Sequence, residues 1–260
     1  MIDYAISADG TRIAYQRLGS GPALILAAGL LCDRETLHEL AAVLAKDFTV
    51  FNFDRRGRGQ SGDTKPYAVA REIEDVAALI DAAGGRASLY GHSSGAGLML
   101  LATAAGLQAE KLILHEPPYG GDDEASRESA KGLAEQIRDA LRLAKGDEAV
   151  RMFFAATGMP DEFVDMLAGD PKRRALAQTM TNDFEVMGEF EGGGIPEALA
   201  RSIAVPTLAI AGSESPDFFR ETAERLERLL PNGRLEILDG HDHGAAAGVV
   251  APVVARFLNG

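Results

Sequence analysis

The residues Gly91-His92-Ser93-Ser94-Gly95 stand between "RASLYG", which has the character of a buried strand, and "GAGLMLLATAAG", which has helical character. A G-x-S-x-G pattern at a strand-to-helix turn describes a nucleophilic serine. A serine on so sharp a turn needs neighbours without side chains, or its oxygen could not stand clear of the backbone. Ser93 fits this frame; Ser94 does not, because His92 occupies the position where it would require glycine. The hydroxyl also needs a base to take its proton. Of five histidines, His241 and His243 lie in "LEILDGHDHGAAAG", past a strand-like run and a turn at Asp239-Gly240. His243 is the expected base, on a loop at the strand edge where Ser93 also emerges, with the final helix beginning near Gly244. His241 competes for the role, while His38, His92 and His115 are expected to be structural or pocket-lining.

Those residues must be positioned by strands and helices. "IDYAIS" and "TRIAYQRLG" alternate in polarity around the turn signal "ADG" and predict a hairpin. "PALILAAG" is a continuous apolar run suited to a buried parallel strand. Asp33 is placed to cap a helix through Leu37, Leu40, Val43 and Leu44, after which "FTVFNFD" returns to strand character. Strand and helix then alternate: a helix through "VAREIEDVAALIDAAG" ended by Gly84, the elbow strand and helix, and "EKLILHEPP" stopped by two prolines. "IAVPTLAIAG", "ETAERLERLLP", "GRLEILDG" and "VVAPVVARFL" continue the alternation near the C-terminus. This order predicts a mostly parallel sheet with helices on both faces. From Gly120 to about Arg201 no strand-like run occurs and four stretches carry helical periodicity. The expected division is therefore a core of residues 1–119 and 202–260 with a helical insertion over 120–201, closed by the freedom of Gly192 to Gly194.

Composition bounds the function. With 26 Lys and Arg against 39 Asp and Glu, the formal charge of −13 would repel nucleic acid and anionic lipid surfaces. No run approaches the length of a membrane span, and the N-terminus lacks the basic start and apolar core of a signal peptide. A cytoplasmic protein, monomer or homodimer, is expected, with neither nucleic acid nor membrane as partner. The single cysteine, Cys32, excludes an intrachain disulfide and a site built on paired thiolates, so no metal or cofactor is expected, and Cys32 reads as a buried apolar filler.

Over nearly its whole length the chain resembles the α/β-hydrolase superfamily. The resemblance rests on "AAGLLCD", "FDRRGRGQSGD", "GHSSG", "VPTLAIAG" and "DGHDH" in that order; "DRRGRGQS" is similar to the D-x-R-G-x-G-x-S segment that often follows the third sheet strand. It implies an α/β-hydrolase fold with a helical cap and a Ser-His-acid triad. It also implies an oxyanion hole from the backbone N–H groups of Leu30 and Ser94. Here Ala28-Gly29 replaces the usual His-Gly, which the function tolerates because backbone donors hold the oxyanion. The acid usually follows the strand equivalent to "PTLAIAG", in a G-x-x-D arrangement, but Gly212-Ser213-Glu214-Ser215 places serine there. A neutral serine cannot fix the histidine tautomer or stabilise imidazolium. Some members, haloalkane-dehalogenase-like ones among them, carry the acid at the preceding strand end, where this chain has Glu116; Glu214 and Asp217 are the alternatives. Arg55 and Arg56 are expected to support the "FDRRGRG" loop.

The resemblance implies a serine hydrolase of a carboxylic ester, thioester or lactone acting through an acyl-enzyme. Two other readings stay open: a cofactor-independent lyase, oxygenase or perhydrolase on the same fold, or a ligand-binding protein without turnover. Met152, Phe153, Phe154, Met159, Phe163, Met166, Met180, Phe184 and Met187 of the insertion suit a small apolar substrate, with about half expected to pack against one another. Epoxide and haloalkane chemistry is disfavoured, since those relatives use a carboxylate where this chain has Ser93.

Overall fold

The computed structural model describes residues 1–121 and 123–260. The hairpin strands β1 (Ile2–Ile6) and β2 (Arg12–Leu18) pair antiparallel, and β2 runs antiparallel to β4 (Thr49–Phe53). β3 (Ala23–Ala27), β4, β5 (Ala87–His92), β6 (Ala109–His115), β7 (Thr207–Gly212) and β8 (Gly233–Leu238) are mutually parallel. The order across the eight-stranded sheet is β1-β2-β4-β3-β5-β6-β7-β8. The chain winds outward in both directions from β3 and β5, so the crevice beyond their C-terminal ends is the topological switch point. The loops after β3 and β5 are the ones carrying Leu30 and Ser93.

Strand alternation divides the core. Ile25 and Ala27 of β3 join one apolar cluster, with α2 (Val69–Ala82), α3 (Ser94–Ala104) and α10 (Asp217–Leu229). Leu24 and Leu26 join the other, with α1 (His38–Leu44) and α11 (Ala247–Asn259). This is the period of two expected of a strand buried on both faces. Asp33 caps through Glu35 N–H, but it opens a 3-10 turn over Arg34–Leu37 that precedes α1. Gly84, at φ 102°, follows the end of α2. The final helix starts at Ala247, three residues later than Gly244, leaving His243 on a longer loop. Cys32 packs against the core cluster of α1 and α11 but is partly rather than fully buried.

Between β6 and β7 the described residues form helices α4 (Glu124–Arg142), α5 (Gly146–Ala156), α6 (Asp161–Gly169), α7 (Pro171–Leu176), α8 (Met180–Met187) and α9 (Glu197–Ser202), with short 3-10 turns. Ile137, Leu141, Val150, Met180 and Phe184 form an apolar cluster of their own, joined by Leu31 from the loop after β3. α8 has a second allegiance: Val186 and Met187 belong to the sheet's core cluster. A Cβ at Gly97 of α3 would lie 2.4 Å from Met187 Sδ, so glycine there lets the two helices approach. By contrast, Met159, Phe163 and Met166 are exposed around α6. Among the described residues no helix is long and apolar enough to cross a membrane.

Candidate active site

Ser93 stands between β5 and α3 with φ 57° and ψ −131°. Glycine is required on both sides: a Cβ at Gly91 would meet Gly95 O at 2.3 Å, and one at Gly95 would meet Ala27 O at 2.4 Å. The loop after β3 passes directly over the serine, since a Cβ at Gly29 would lie 2.7 Å from Ser93 Cβ and 3.2 Å from its Oγ. Among the described residues four other than glycine have positive φ, namely Leu31, Ser93, Glu116 and Ala144, and the first three converge here. Strained backbone persists where surrounding structure over-determines it, and it clusters at functional sites.

Glu116 directly follows β6 at φ 49°, precedes Pro117 and Pro118, and is completely buried. Its N–H donates to Ile210 O at 2.9 Å, and its Oε1 accepts from Gly212 N–H at 2.7 Å. Both contacts tie it to the neighbouring strand β7. Oε2 lies 2.5 Å from His243 Nδ1. Burial pushes the Glu116 pKa up, but hydrogen bonds from His243 and Gly212, together with the nearby Ser215 hydroxyl, outweigh it and hold the carboxyl below its ordinary value. An ionised carboxylate only accepts, so the shared proton belongs on His243 Nδ1 and the Nε2 lone pair is left to act as a base.

The imidazole of His243 is also clasped through its faces. Phe219 stacks on it at 4.6 Å between centroids and His92 lies 4.5 Å away. His92 Nε2 lies 3.0 Å from His243 O; since a carbonyl only accepts, His92 donates and pins the loop. Behind it, His115 approaches His92 at 4.9 Å and its Nδ1 lies 2.7 Å from Tyr90 Oη. Burial, then the neighbouring His243, lowers the His92 pKa to about 3, and burial drives His115 well below its ordinary value. Both rings are therefore neutral near pH 7. Among the described residues no hydrogen bond joins Ser93 Oγ to His243; such contacts are commonly long before substrate binds and tighten with it. A cavity of about 360 Å³ borders His92, His115 and His243.

The other candidates lie apart from this cluster. His241 does not reach Glu116, though its carbonyl accepts from Glu214 N–H at 2.9 Å. Glu214 and Asp217 are exposed, and Asp217 pairs with Arg220 at 3.0 Å. Ser215 is buried, and its hydroxyl lies close enough to the Glu116 carboxyl to help lower its pKa. His38 is exposed. The "DRRGRG" loop does more than support itself. Arg56 turns away to Asp75 and Asp9, whereas Arg55 and Arg58 run under the serine to Glu72 and Asp183. Sequence reasoning misses Phe219, Arg58 and Asp183; the one local signal for Arg58 is a third arginine in a six-residue loop.

A sequence model of the alpha/beta hydrolase family matches residues 24–254. An alpha/beta hydrolase from Sphaerobacter thermophilus is 43% identical, with a TM-score of 0.90 over 98% of this chain and 100% of that one. The enol-lactonase from Burkholderia xenovorans superposes with a TM-score of 0.71 at 23% identity, covering 99% of this chain and 100% of its own. An esterase from Exiguobacterium antarcticum gives 0.76 at 16% identity over the whole of both chains. At these two lower identities the likeness is one of fold.

Proposed function

The chain belongs to the alpha/beta hydrolase family, and from that premise we propose that it is a serine hydrolase cleaving a carboxylic ester, thioester or lactone of an apolar small molecule. Ser93 is the nucleophile, His243 the general base and Glu116 the acid that orients and stabilises it. One observation carries the reading: a strained serine at the switch point of the sheet shares that edge with a histidine whose Nδ1 lies 2.5 Å from a buried carboxylate.

His243 Nε2 takes the Ser93 proton as Oγ attacks the acyl carbonyl, and the negative charge that develops falls to the N–H groups of Leu30 and Ser94. The imidazolium returns its proton to the leaving group. Water, deprotonated by the same ring, then releases the acid from Ser93. Residues 120–201 act as a cap over this edge. The apolar class of substrate is supported by Leu30, which packs with Phe153, Phe154 and Phe190 against the apolar cluster of the inserted helices. An unpaired charge would be poorly tolerated in such surroundings.

Incubation with a fluorophosphonate and mass mapping tests the nucleophile, and a series of esters of graded acyl length tests the chemistry. The expected result is a stable adduct on Ser93, acid release that is faster for apolar than for anionic acyl groups, and loss of both in Ser93→Ala, with turnover down by roughly 10⁶. Near-wild-type hydrolysis by Ser93→Ala would overturn the acyl-enzyme route.

A further inference from the structure

Asp183 is carried by α8 of the inserted helices, yet its carboxylate is completely buried against the core. Oδ1 accepts from Ser94 Oγ at 2.6 Å and from Arg55 Nη1 at 2.6 Å, while Oδ2 accepts from Arg58 Nη2 at 2.5 Å. Arg58 reaches further: Nη1 donates to the carbonyl of Gly29 at 2.6 Å and, at 3.2 Å, to that of Cys32. Arg55 is held in turn by Glu72 through bonds of 2.7 and 2.8 Å. All four charged side chains are at most 2% exposed, and their two positive and two negative charges balance.

Buried ion pairs are weak sources of net stability, because desolvation offsets much of their attraction. Their destinations are more informative. One arm of this network ends on the side chain of Ser94 and the other on the Gly29–Leu30 peptide. That peptide is planar, and in a trans peptide the carbonyl and the N–H point to opposite sides. A guanidinium fixed on Gly29 O therefore fixes the direction of Leu30 N–H. Leu31 immediately follows at φ 56°, so the loop is strained where it is held. A rotated peptide would aim a carbonyl oxygen, not a donor, at developing negative charge.

We propose that Arg58 and Asp183 are positioning residues for the oxyanion hole, holding both of its donor peptides in register, so that transition-state stabilisation depends on α8 being docked on the core. The proposal rests on the hydrolase reading above. The inserted helices then do more than cover the substrate: one of their carboxylates completes the electrostatic frame of the chemical step. Neither side chain has to touch the substrate.

The test separates positioning from mere anchoring. Arg58→Lys keeps a positive charge near Asp183, but a single ammonium cannot serve the carboxylate and the Gly29 carbonyl as a planar fork does. The expected result is a fall in kcat of roughly 10², with KM within about threefold, and a matching loss of affinity for a trifluoromethyl ketone that forms an oxyanion on Ser93. Affinity for the corresponding methyl ketone, which remains a ground-state ligand, stays unchanged. Ser94→Ala removes one hydroxyl and lowers kcat and trifluoromethyl ketone affinity together by roughly tenfold. Asp75→Asn is the control: it breaks the neighbouring Arg56 pair, which does not touch the hole, and lowers the thermal midpoint while leaving kcat in place. Should Arg58→Lys fail to fold, Ser94→Ala decides alone. The proposal is overturned if Ser94→Ala, or a folded Arg58→Lys, lowers the midpoint as the control does but keeps wild-type kcat and trifluoromethyl ketone affinity. A wild-type protein that hydrolyses no ester and takes no fluorophosphonate on Ser93 removes the hydrolase reading first, before any variant is compared.

Discussion

The ends of β6 and β7 lie side by side on the same sheet edge, and they carry different groups. β7 ends in Gly212-Ser213-Glu214-Ser215, a slot with a neutral hydroxyl, whereas β6 ends in a buried, ionised Glu116. The two ends are not independent, because β7 lends Gly212 N–H to the carboxylate that β6 supplies, and Ser215 packs beside it. What matters to His243 is where a carboxylate oxygen arrives, not which strand delivers it. A strand spacing of about 4.8 Å separates the two origins, and the extra methylene of glutamate over aspartate helps close it. The positive φ of Glu116 then turns its side chain toward the histidine loop.

The strongest way to break this contrast is Glu116→Gln. The volume is kept, but the imidazole loses both its tautomer control and the charge that stabilises imidazolium, so kcat is expected to fall by roughly 10³ to 10⁴. Glu214→Gln and Asp217→Asn, on exposed side chains of the β7 end, leave kcat within about threefold. Full activity in Glu116→Gln would reduce Glu116 to a strand-end carboxylate with no part in the chemistry.

How much of this is legible in sequence depends on the range of the contact. Ser93 can be read from five adjacent residues because the sterics of the elbow are local, and the crowding around Gly91 and Gly95 has the same origin. The parallel sheet is legible because strands such as β3 and β7 are short apolar runs, punctuated by helices of a different period. Glu116 and His243 are readable as candidates from their places at strand ends, since the edge of a parallel sheet gathers such ends together. Asp183 is not, being joined to Arg58 across 125 positions of sequence. Nor is Phe219, whose stacking on His243 depends on how α10 leaves β7. Glycine is the usual occupant of positive φ, so Leu31 and Glu116 give no local hint of theirs.

Placing a carboxylate beyond β7 sharpens the contrast. In Glu116→Gln with Ser215→Asp, a carboxylate stands just past the end of β7, and recovery of roughly tenfold over the single variant is expected in kcat. Complete recovery is not, because Gly212 N–H still faces the amide that has replaced the Glu116 carboxylate, and a carboxylate at the buried Ser215 position carries a desolvation cost. Activity no higher than that of the single variant would mean that the β7 end has lost the geometry as well as the residue.

The smallest effect separates the two strand ends by charge alone. The Glu116 pKa is lowered on folding, so the folded state favours the ionised form, and the stability this contributes is fully present above the ordinary carboxylate pKa of about 4.3. It is lost as the pH falls through the still lower folded value. Ser215 has no such dependence. His92 and His115, held neutral by burial, also weaken the fold as the pH drops below about 6.5, since unfolding lets them take up protons. That loss comes mainly from burial, so most of it is shared by the wild type and Glu116→Gln and drops out when their urea midpoints are compared. The difference between the midpoints is therefore expected to shrink as the pH falls below about 4. A difference that instead grew on acidification would mean that Glu116 is held protonated in the fold; the 2.5 Å contact would then be a neutral hydrogen bond, and the β6 end could not supply the charge its neighbour lacks.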